Sequence, residues 1–245
     1  MRLEKLMGFV IYAFPLGEAD QIITCFTSAG NLVKFVAKGS RKVKSRFAAS
    51  VQLFNLGEYV IYRGKGLPYL RQADIVDSFL PIRRDWSKSG AAFAVMELCR
   101  ILLGEEAGET DAFKLTLAYM HHLKEGDYSS LTFDAFRLQF VASLGYSMSF
   151  NHCALCGQAC QAGSLAWIDG GLVCPQCHSP GTKAIGRRPL ALLTALKTGG
   201  FAEVDGLAVD KSLEESCAKV VDNLIFWLSE GKTKTQAFRS LFEDG

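Results

Sequence analysis

Between residues 8 and 76, apolar and polar residues alternate in short runs that are separated by turn-forming residues. Side chains of a β-strand point alternately to opposite faces, so a period of two residues predicts strands. In one run, Val33, Phe35 and Ala37 share a face, and Lys34 and Lys38 share the other. The pattern predicts five strands, at residues 9–14, 21–27, 32–38, 58–62 and 67–76.

The connections between these runs narrow the choice of fold. Residues 28–31 and 63–66 are rich in turn formers and predict tight hairpins, whereas the connection at 39–57 is long. Five strands in about seventy residues, with the long connection after the third, are typical of the OB-fold, a small β-barrel that binds oligonucleotides. An SH3-like barrel would produce a similar periodicity.

Near residue 80 the period changes from two residues to 3.6, which indicates helices. We therefore predict an α+β multidomain protein, with an OB-fold β-barrel at 1–80 and a helical bundle at 81–245. A β-hairpin at 164–173 interrupts the helices, so a ribbon at 151–179 is predicted as an insertion into the bundle. The predicted helices lie at residues 85–103, 110–124, 131–144, 189–198, 212–228 and 235–242.

Two Cys-x-x-Cys pairs, separated by seventeen residues, lie in this ribbon. Such pairs can place four thiolates tetrahedrally around one Zn²⁺, and four protein ligands leave no open position, so we predict a structural zinc. A thioredoxin-like redox pair needs a single Cys-x-x-Cys, and a zinc deaminase needs a His-x-Glu motif that the chain lacks. Cys160, His152 and His178 flank the pairs and are alternative ligands. The predicted ligands are Cys153, Cys156, Cys174 and Cys177.

The chain has 245 residues, of which 49% are hydrophobic and 21% charged, as in ordinary globular proteins. Eight cysteines in this pattern favour metal binding in a reducing compartment over disulfides. The sequence has neither an apolar run of bilayer-spanning length nor the profile of a signal peptide. We therefore expect a cytoplasmic protein without a membrane partner.

The net charge of +2 hides a strong asymmetry. Residues 1–72 carry 11 Lys and Arg against 4 Asp and Glu, a net of +7, and residues 73–245 carry 16 against 21, a net of −5. Five of the nine residues at 38–46 are basic and none is acidic, which favours a loop that binds phosphates over an ordinary solvated loop. The predicted nucleic-acid-binding residues are Lys34, Lys38, Arg41, Lys42, Lys44, Arg46, Arg63, Lys65 and Arg71.

Aromatic residues are dense in the same basic segment, and some could stack on bases. We single out Phe47 and Tyr69 as candidates, because each has a basic neighbour along the chain. The sequence contains no phosphate-binding loop of the Gly-x4-Gly-Lys type and no nucleophile elbow, so we predict that the protein is not an enzyme. Two alternatives stay open: an RNA-binding factor, or a nuclease that would use Glu18 and Asp20 as metal ligands.

Four segments in the same order along the chain make it resemble the bacterial RecO family of recombination and repair proteins. The resemblance covers essentially the whole chain, although each motif by itself is modest. The segments are GEADQI at 17–22, VAKGSRKVKSR at 36–46, YRGKGL at 62–67, and LGY at 144–146 followed by CALCG at 153–157.

The resemblance implies a mediator of homologous recombination. Proteins of this family bind single- and double-stranded DNA and anneal complementary strands. They also engage the single-strand-binding protein and, with RecR, help to load RecA, so these are the expected partners of a nucleoid-associated protein. It further implies DNA contact by the basic stretch at 38–46 and zinc binding by the four cysteines. Some members lack these cysteines, which implies a structural role for the metal.

Overall fold

The computed structural model of the protein describes residues 2–106, 108–177 and 184–233. By packing, the described residues fall into two compact units, one that ends at Glu125 and one that begins at Gly126. The first unit is built on a β-sheet, and the second combines helices with a small sheet. The protein is therefore of mixed α+β class, with the larger sheet at the amino terminus.

The sheet of the first unit has five strands that close into a barrel in the order β1-β2-β3-β5-β4. The five predicted strands are confirmed, but β1 begins seven residues earlier than the prediction. Its first half is held by backbone pairing with β4, from Arg2↔Arg63 to Phe9↔Leu56, and such pairing needs no apolar side chains. The strands are β1 Arg2–Leu16, β2 Asp20–Thr27, β3 Leu32–Ala37, β4 Leu56–Arg63 and β5 Tyr69–Asp77.

Strand β1 closes the barrel because it changes partner along its length. Its first half pairs with β4, and its second half, from Gly8 to Leu16, pairs with β2. At the crossover, a Cβ on Gly8 would lie 2.4 Å from the carbonyl oxygen of Phe26. Only glycine allows the two strands to approach this closely.

Three helices follow the barrel within the same unit: α1 Leu80–Arg84, α2 Trp86–Leu102 and α3 Thr110–Glu125. The Asp85 carboxylate accepts a hydrogen bond from the Lys88 backbone N–H at 2.8 Å and so caps α2 at its amino terminus. The ring of Phe113 on α3 lies 5.7 Å from that of Phe9 and 5.4 Å from that of Phe26. These helices therefore share an aromatic core with the barrel.

This shared core explains why the first compact unit extends beyond the barrel. The change from strands to helices occurs at residue 80, as the periodicity predicts, whereas the change of packing unit occurs after Glu125. Periodicity reports the kind of secondary structure, and it does not report which elements bury their faces together. The division into domains at 1–80 and 81–245 stays a prediction.

The second unit contains α4 Ser130–Ser143, three short strands, and the helices α5 Arg187–Thr198, α6 Phe201–Asp205 and α7 Lys211–Leu228. Buried Arg137 on α4 binds Asp134 on its own helix and Asp222 on α7, the latter at 2.6 Å. A buried charge of this kind is tolerated because it is paired. The helices predicted at 131–144, 189–198 and 212–228 are confirmed, and the helix predicted at 235–242 lies outside the described residues.

The three short strands are β6 Gly163–Ala166, β7 Gly171–Val173 and β8 Ala184–Ile185, and they pair in the order β7-β6-β8. The first two form the hairpin that the sequence predicts at 164–173. The helix α6 and the strand β8 were not predicted, because two to five residues are too few to show a period. No helix in the described ranges has both the length and the apolar character to cross a bilayer.

Candidate nucleic-acid interface and metal centre

Three connections of the barrel meet at one end. The register Gln21↔Ala37 places the β1–β2 hairpin beside the end of β3, where the long basic connection begins. The β4–β5 hairpin reaches the same place, because Val36 donates a backbone hydrogen bond to Pro68 at 2.7 Å and pairs with Tyr69. We call this end of the barrel the basic tip, which comprises Lys38, Arg41, Lys42, Lys44, Arg46, Lys65 and Arg71.

The first hairpin holds the beginning of the basic connection. The Gly39 backbone N–H donates to the Asp20 carboxylate at 2.7 Å, and the Ser40 hydroxyl donates to the Gln21 side-chain oxygen at 3.0 Å. The Arg41 backbone N–H donates to the carbonyl of Ala19 at 2.9 Å. Gly39 has a φ of +67°, a left-handed conformation that favours glycine. The basic segment therefore starts from a fixed point.

Beyond this root the segment is exposed. Lys42 and Lys44 are both exposed, and Val43 between them is fully accessible to solvent. An apolar residue that is packed against nothing shows that the segment stands clear of the barrel. The two lysines are therefore free to contact a polyanion.

Two of the nine predicted basic residues have their charge compensated. Lys34 lies 2.7 Å from the Glu105 carboxylate, and Arg63 forms an ion pair with Glu4. The hydrogen bond from Arg63 also lowers the pKa of Glu4 below its usual range, so this partner stays ionised. These two residues are held in other contacts and are weaker candidates for phosphate binding.

The other seven residues, those of the basic tip, have no carboxylate within 4 Å in the described part of the chain. Two of them are nonetheless oriented by carbonyl groups. The Arg41 guanidinium donates to the carbonyl of Gly17 at 2.9 Å, and that of Arg46 donates to the carbonyl of Arg71 at 3.3 Å. These bonds position the cations without neutralising them, so the seven cations outnumber the carboxylates of Glu18 and Asp20 on the adjoining β1–β2 hairpin, and the tip keeps a net positive charge.

The aromatic candidates separate on burial. Phe47 is only 7% exposed and belongs to the barrel core, which makes it the weaker of the two candidates for stacking on bases. Tyr69 is 37% exposed, and the Lys38 ammonium lies 4.3 Å from its ring centroid. Proximity to a basic residue along the chain could not separate the two, since the burial of each ring depends on residues that are distant along the chain.

Sequence reasoning did not single out Tyr12 and Phe14, which are exposed on the outer face of β1. They lie two residues apart, and Ala13 between them packs against the barrel core. The alternation of Tyr12, Ala13 and Phe14 along β1 was the sequence signal that could have identified the two rings as exposed. It marks an exposed aromatic surface on the barrel.

The four predicted cysteine ligands come together in the second unit. Their sulfur atoms all lie within 4.8 Å of one another, and those of Cys156 and Cys174 are 3.9 Å apart. Four sulfurs that each lie about 2.3 Å from one tetrahedral Zn²⁺ would be separated by about 3.8 Å. The set therefore fits one metal ion, and in the described ranges it is the only such cluster of three or more ligand residues.

Backbone hydrogen bonds shape this cluster. The Gly157 N–H donates to the Cys153 carbonyl at 2.8 Å, and the Cys177 N–H donates to the Cys174 carbonyl at 3.1 Å, so each pair sits on a tight turn. The Cys174 backbone N–H donates to the Cys153 sulfur at 3.3 Å and is the main cause that lowers the pKa of Cys153 to about 6. A thiolate, which is the form that binds metal, is favoured there.

Three residues near the four cysteines were alternative candidates for zinc ligands: Cys160, His152 and His178. Cys160 packs against the cysteine cluster but is not one of its four members. The Nδ1 atom of His152 lies 2.9 Å from the side-chain oxygen of its neighbour Asn151. His178 lies outside the described residues. The two carboxylates of the nuclease alternative, Glu18 and Asp20, do not belong to a group of three metal ligands in the described chain, and Asp20 accepts the Gly39 N–H instead.

Comparison with known proteins supports one family over most of the chain. The family model described as recombination protein O N terminal matches residues 1–79, and that described as recombination protein O C terminal matches residues 83–237. The junction between the two matches lies close to the start of α1.

Individual relatives agree. A protein from a Nocardioides species, named DNA repair protein RecO, is 30% identical over 91% of this chain and 94% of its own length. A protein of the same name from Frankia casuarinae is 35% identical over 79% of this chain and 81% of its own length. A third protein of this name, from Streptomyces avermitilis, is 33% identical over 84% of this chain and 86% of its own length. The chain therefore belongs to the RecO family of recombination proteins.

Proposed function

We propose that this protein acts in DNA repair and recombination as a mediator without catalytic activity, which binds single- and double-stranded DNA through the basic tip and anneals complementary strands. The observation that carries the proposal is the basic tip itself, which gathers seven cations that no carboxylate of the described chain neutralises. The names of the relatives support the repair role.

The barrel supports the same proposal. The strand order β1-β2-β3-β5-β4 of a closed five-stranded barrel is that of an OB-fold, and OB-folds bind oligonucleotides with the loops between strands 1 and 2 and between strands 4 and 5. Both loops reach the basic tip in this protein. We therefore assign the barrel to the OB-fold and the tip to its DNA-binding end.

Annealing requires that phosphates are held while base edges stay free to pair. Lysine and arginine contacts to phosphates meet this requirement, because they position a strand without reading its sequence. The exposed segment around Lys42 and Lys44 can supply such contacts. The predominantly acidic remainder of the chain is better suited to protein partners, and we propose that these are RecR, single-strand-binding protein and, through them, RecA.

For the cysteine cluster we propose one Zn²⁺ with a structural role. Cys153, Cys156, Cys174 and Cys177 would fill all four positions of a tetrahedral ion. When bound, the ion would hold the two tight turns together. No step of DNA binding is assigned to it.

The test is the salt dependence of DNA binding. Each phosphate contact to single-stranded DNA contributes about 0.7 to the slope of log K against log salt concentration. The triple variant Arg41→Glu, Lys42→Glu, Lys44→Glu is expected to bind a fluorescent oligonucleotide far more weakly, with a slope that is shallower by about 2. The measurement is anisotropy titration at several salt concentrations.

A matched pair of single variants controls for the change of net charge. Lys42→Gln and Lys34→Gln each remove one lysine charge from the barrel, but Lys34 is already paired with Glu105. Lys42→Gln is expected to weaken binding several-fold, and Lys34→Gln to change it less than twofold. An unchanged slope in the triple variant would remove the basic segment from the binding site. Annealing of complementary strands coated with single-strand-binding protein tests the mediator role separately.

A further inference from the structure

A cavity of about 450 Å³ opens beside the root of the basic segment, between the start of the long connection and strands β4 and β5. Tyr62 and Tyr69 contribute aromatic walls, and Lys38, Arg46 and Arg71 contribute three cations. No carboxylate lines it. The cavity therefore offers aromatic surface and positive charge, without an acidic group that would repel an anion.

The cations of this cavity are held against aromatic rings. The Lys38 ammonium lies 4.3 Å from the Tyr69 ring centroid, the Arg46 guanidinium 4.6 Å from that of Phe47, and the Arg71 guanidinium 5.3 Å from that of Tyr62. A cation over a ring is attracted by the electrons of its face. Each positive charge is thus fixed at the wall of the cavity by the protein itself.

The cations keep unused hydrogen-bond donors. A guanidinium has five N–H donors, and Arg46 uses one of them on the carbonyl of Arg71. None of the three is paired with a carboxylate of the described chain. They can therefore bind the oxygens of a phosphate while they stay beside the rings.

We propose that this cavity binds one unpaired nucleotide of a DNA strand, with its base against Tyr69 and Tyr62 and its phosphate on Lys38, Arg46 and Arg71. This inference rests on the proposed DNA binding and adds a contact that only an unpaired base can make. In a duplex the bases are stacked inside the helix, so they cannot enter a cavity of this kind. The cavity therefore favours single strands over duplexes, whereas the exposed lysines accept either.

A nucleotide fits this chemistry better than a free phosphate. A free phosphate would leave the tyrosine walls without a partner. The cavity also adjoins the basic segment, with which it shares Lys38 and Arg46, so a strand held by that segment passes its mouth. Both tyrosines are at least partly exposed, as a stacking contact requires.

The experiment compares two strands that differ only in their bases. One is an oligothymidylate, and the other is an abasic strand of the same length, which keeps the phosphates. The full-length protein is expected to bind the thymidylate strand about tenfold more tightly, since stacking of one base is worth roughly 5- to 150-fold in affinity. Equal binding of the two strands by the unaltered protein would contradict nucleotide binding in the cavity, although the proposed phosphate binding would stand.

Variants then locate the base. Tyr69→Ala is expected to remove most of the difference between the two strands, and Tyr69→Phe to keep it, because the ring is retained. Trp86→Ala is the matched control, since Trp86 is an exposed aromatic residue of the same compact unit that does not line the cavity. Circular dichroism of each variant checks that it is folded.

The outcomes separate this inference from the proposed function. A Tyr69→Ala protein that keeps the full tenfold preference overturns the nucleotide site, even though DNA binding stands. A protein that binds neither strand at low salt overturns both proposals. Equal binding of the thymidylate and abasic strands, together with binding of an acidic peptide such as polyglutamate that Tyr69→Ala abolishes, would assign the cavity to a protein partner instead.

Discussion

The barrel and the cysteine ribbon differ in the apolar residues that each buries in its core cluster. The barrel core contains twelve buried residues, among them Phe35, Tyr59 and Ile61. Among the described residues, the corresponding cluster of the ribbon contains three, of which two are the cysteines Cys153 and Cys174. Burial of apolar surface stabilises a fold roughly in proportion to its area, so this cluster contributes much less to stability than the core of the barrel does.

The same two regions differ in what they leave exposed. The barrel ends in cations that are oriented by hydrogen bonds and not neutralised, whereas the ribbon gathers four sulfur ligands around one point. The proposed DNA contact and the proposed metal binding therefore involve separate residues of this chain. We expect that each can be removed with the other retained.

The largest effect is expected from loss of a cysteine ligand. Cys156→Ser should reduce bound zinc from about one ion per chain to none, because it replaces one of the four thiolate ligands with a hydroxyl group. Since binding of a structural zinc is worth on the order of 10–16 kcal/mol and is coupled to folding, its loss should also unfold the ribbon. Zinc content by mass spectrometry and hydrogen exchange of residues 151–177 measure the result. DNA affinity of the barrel should change little.

Cys160→Ser is the matched control, since Cys160 packs beside the cluster without belonging to it. It should keep both the zinc and the exchange protection. Loss of zinc in Cys160→Ser with retention in Cys156→Ser would show that the ligand set is wrong. Loss of DNA binding together with the zinc would break the separation of the two regions.

The reverse experiment removes a core residue of the barrel. Phe35 is fully buried, and its ring lies 5.7 Å from that of Tyr59. Phe35→Ala should lower the free energy of unfolding of the first compact unit by about 3–5 kcal/mol, because it leaves a cavity that the barrel cannot fill. Hydrogen exchange of the strands measures this loss.

In Phe35→Ala the zinc content should stay at the unaltered value while DNA binding weakens. Phe14→Ala provides the control for stability, since Phe14 is 54% exposed and its loss should cost less than about 0.5 kcal/mol. Equal destabilisation by the two variants would contradict the assignment of Phe35 to the core.

A smaller effect is expected from substitution of Asp20, which lies beside the basic tip. Asp20 accepts the Gly39 N–H and so holds the root of the basic segment. Asp20→Ala should cost about 1–3 kcal/mol in local stability, because the Gly39 N–H loses its partner. Asp20→Asn keeps an acceptor at the same place and should cost less. Hydrogen exchange at Gly39 compares the two variants.

Asp20 could affect DNA affinity through its negative charge or through the hydrogen bond that positions the basic segment. The two explanations predict different results for the two variants. Both variants remove one negative charge, which alone would strengthen binding of a polyanion equally in both. If the hydrogen bond positions the segment, Asp20→Ala should bind DNA several-fold more weakly than Asp20→Asn in an anisotropy titration. Equal affinities would mean that the root does not matter for binding.

Local patterns were sufficient to predict much of the secondary structure and the ligand set. The five strands and most of the long helices lie close to their predicted places, because side-chain period depends only on neighbours along the chain. The spacing of the cysteines likewise determines which turns they form. Short elements such as α6 and β8 escaped prediction, since they are shorter than the window in which a period shows.

The sequence by itself determined which segments become the five strands of the barrel, which four cysteines come together, and where positive charge is concentrated. Only the tertiary structure decided that Lys34 and Arg63 are neutralised, that Phe47 is buried while Tyr69 is exposed, and that Asp20 anchors the basic segment. The reason is that pairing and burial depend on residues that are distant along the chain. Glu105 lies 71 positions from Lys34, and no local pattern connects the two.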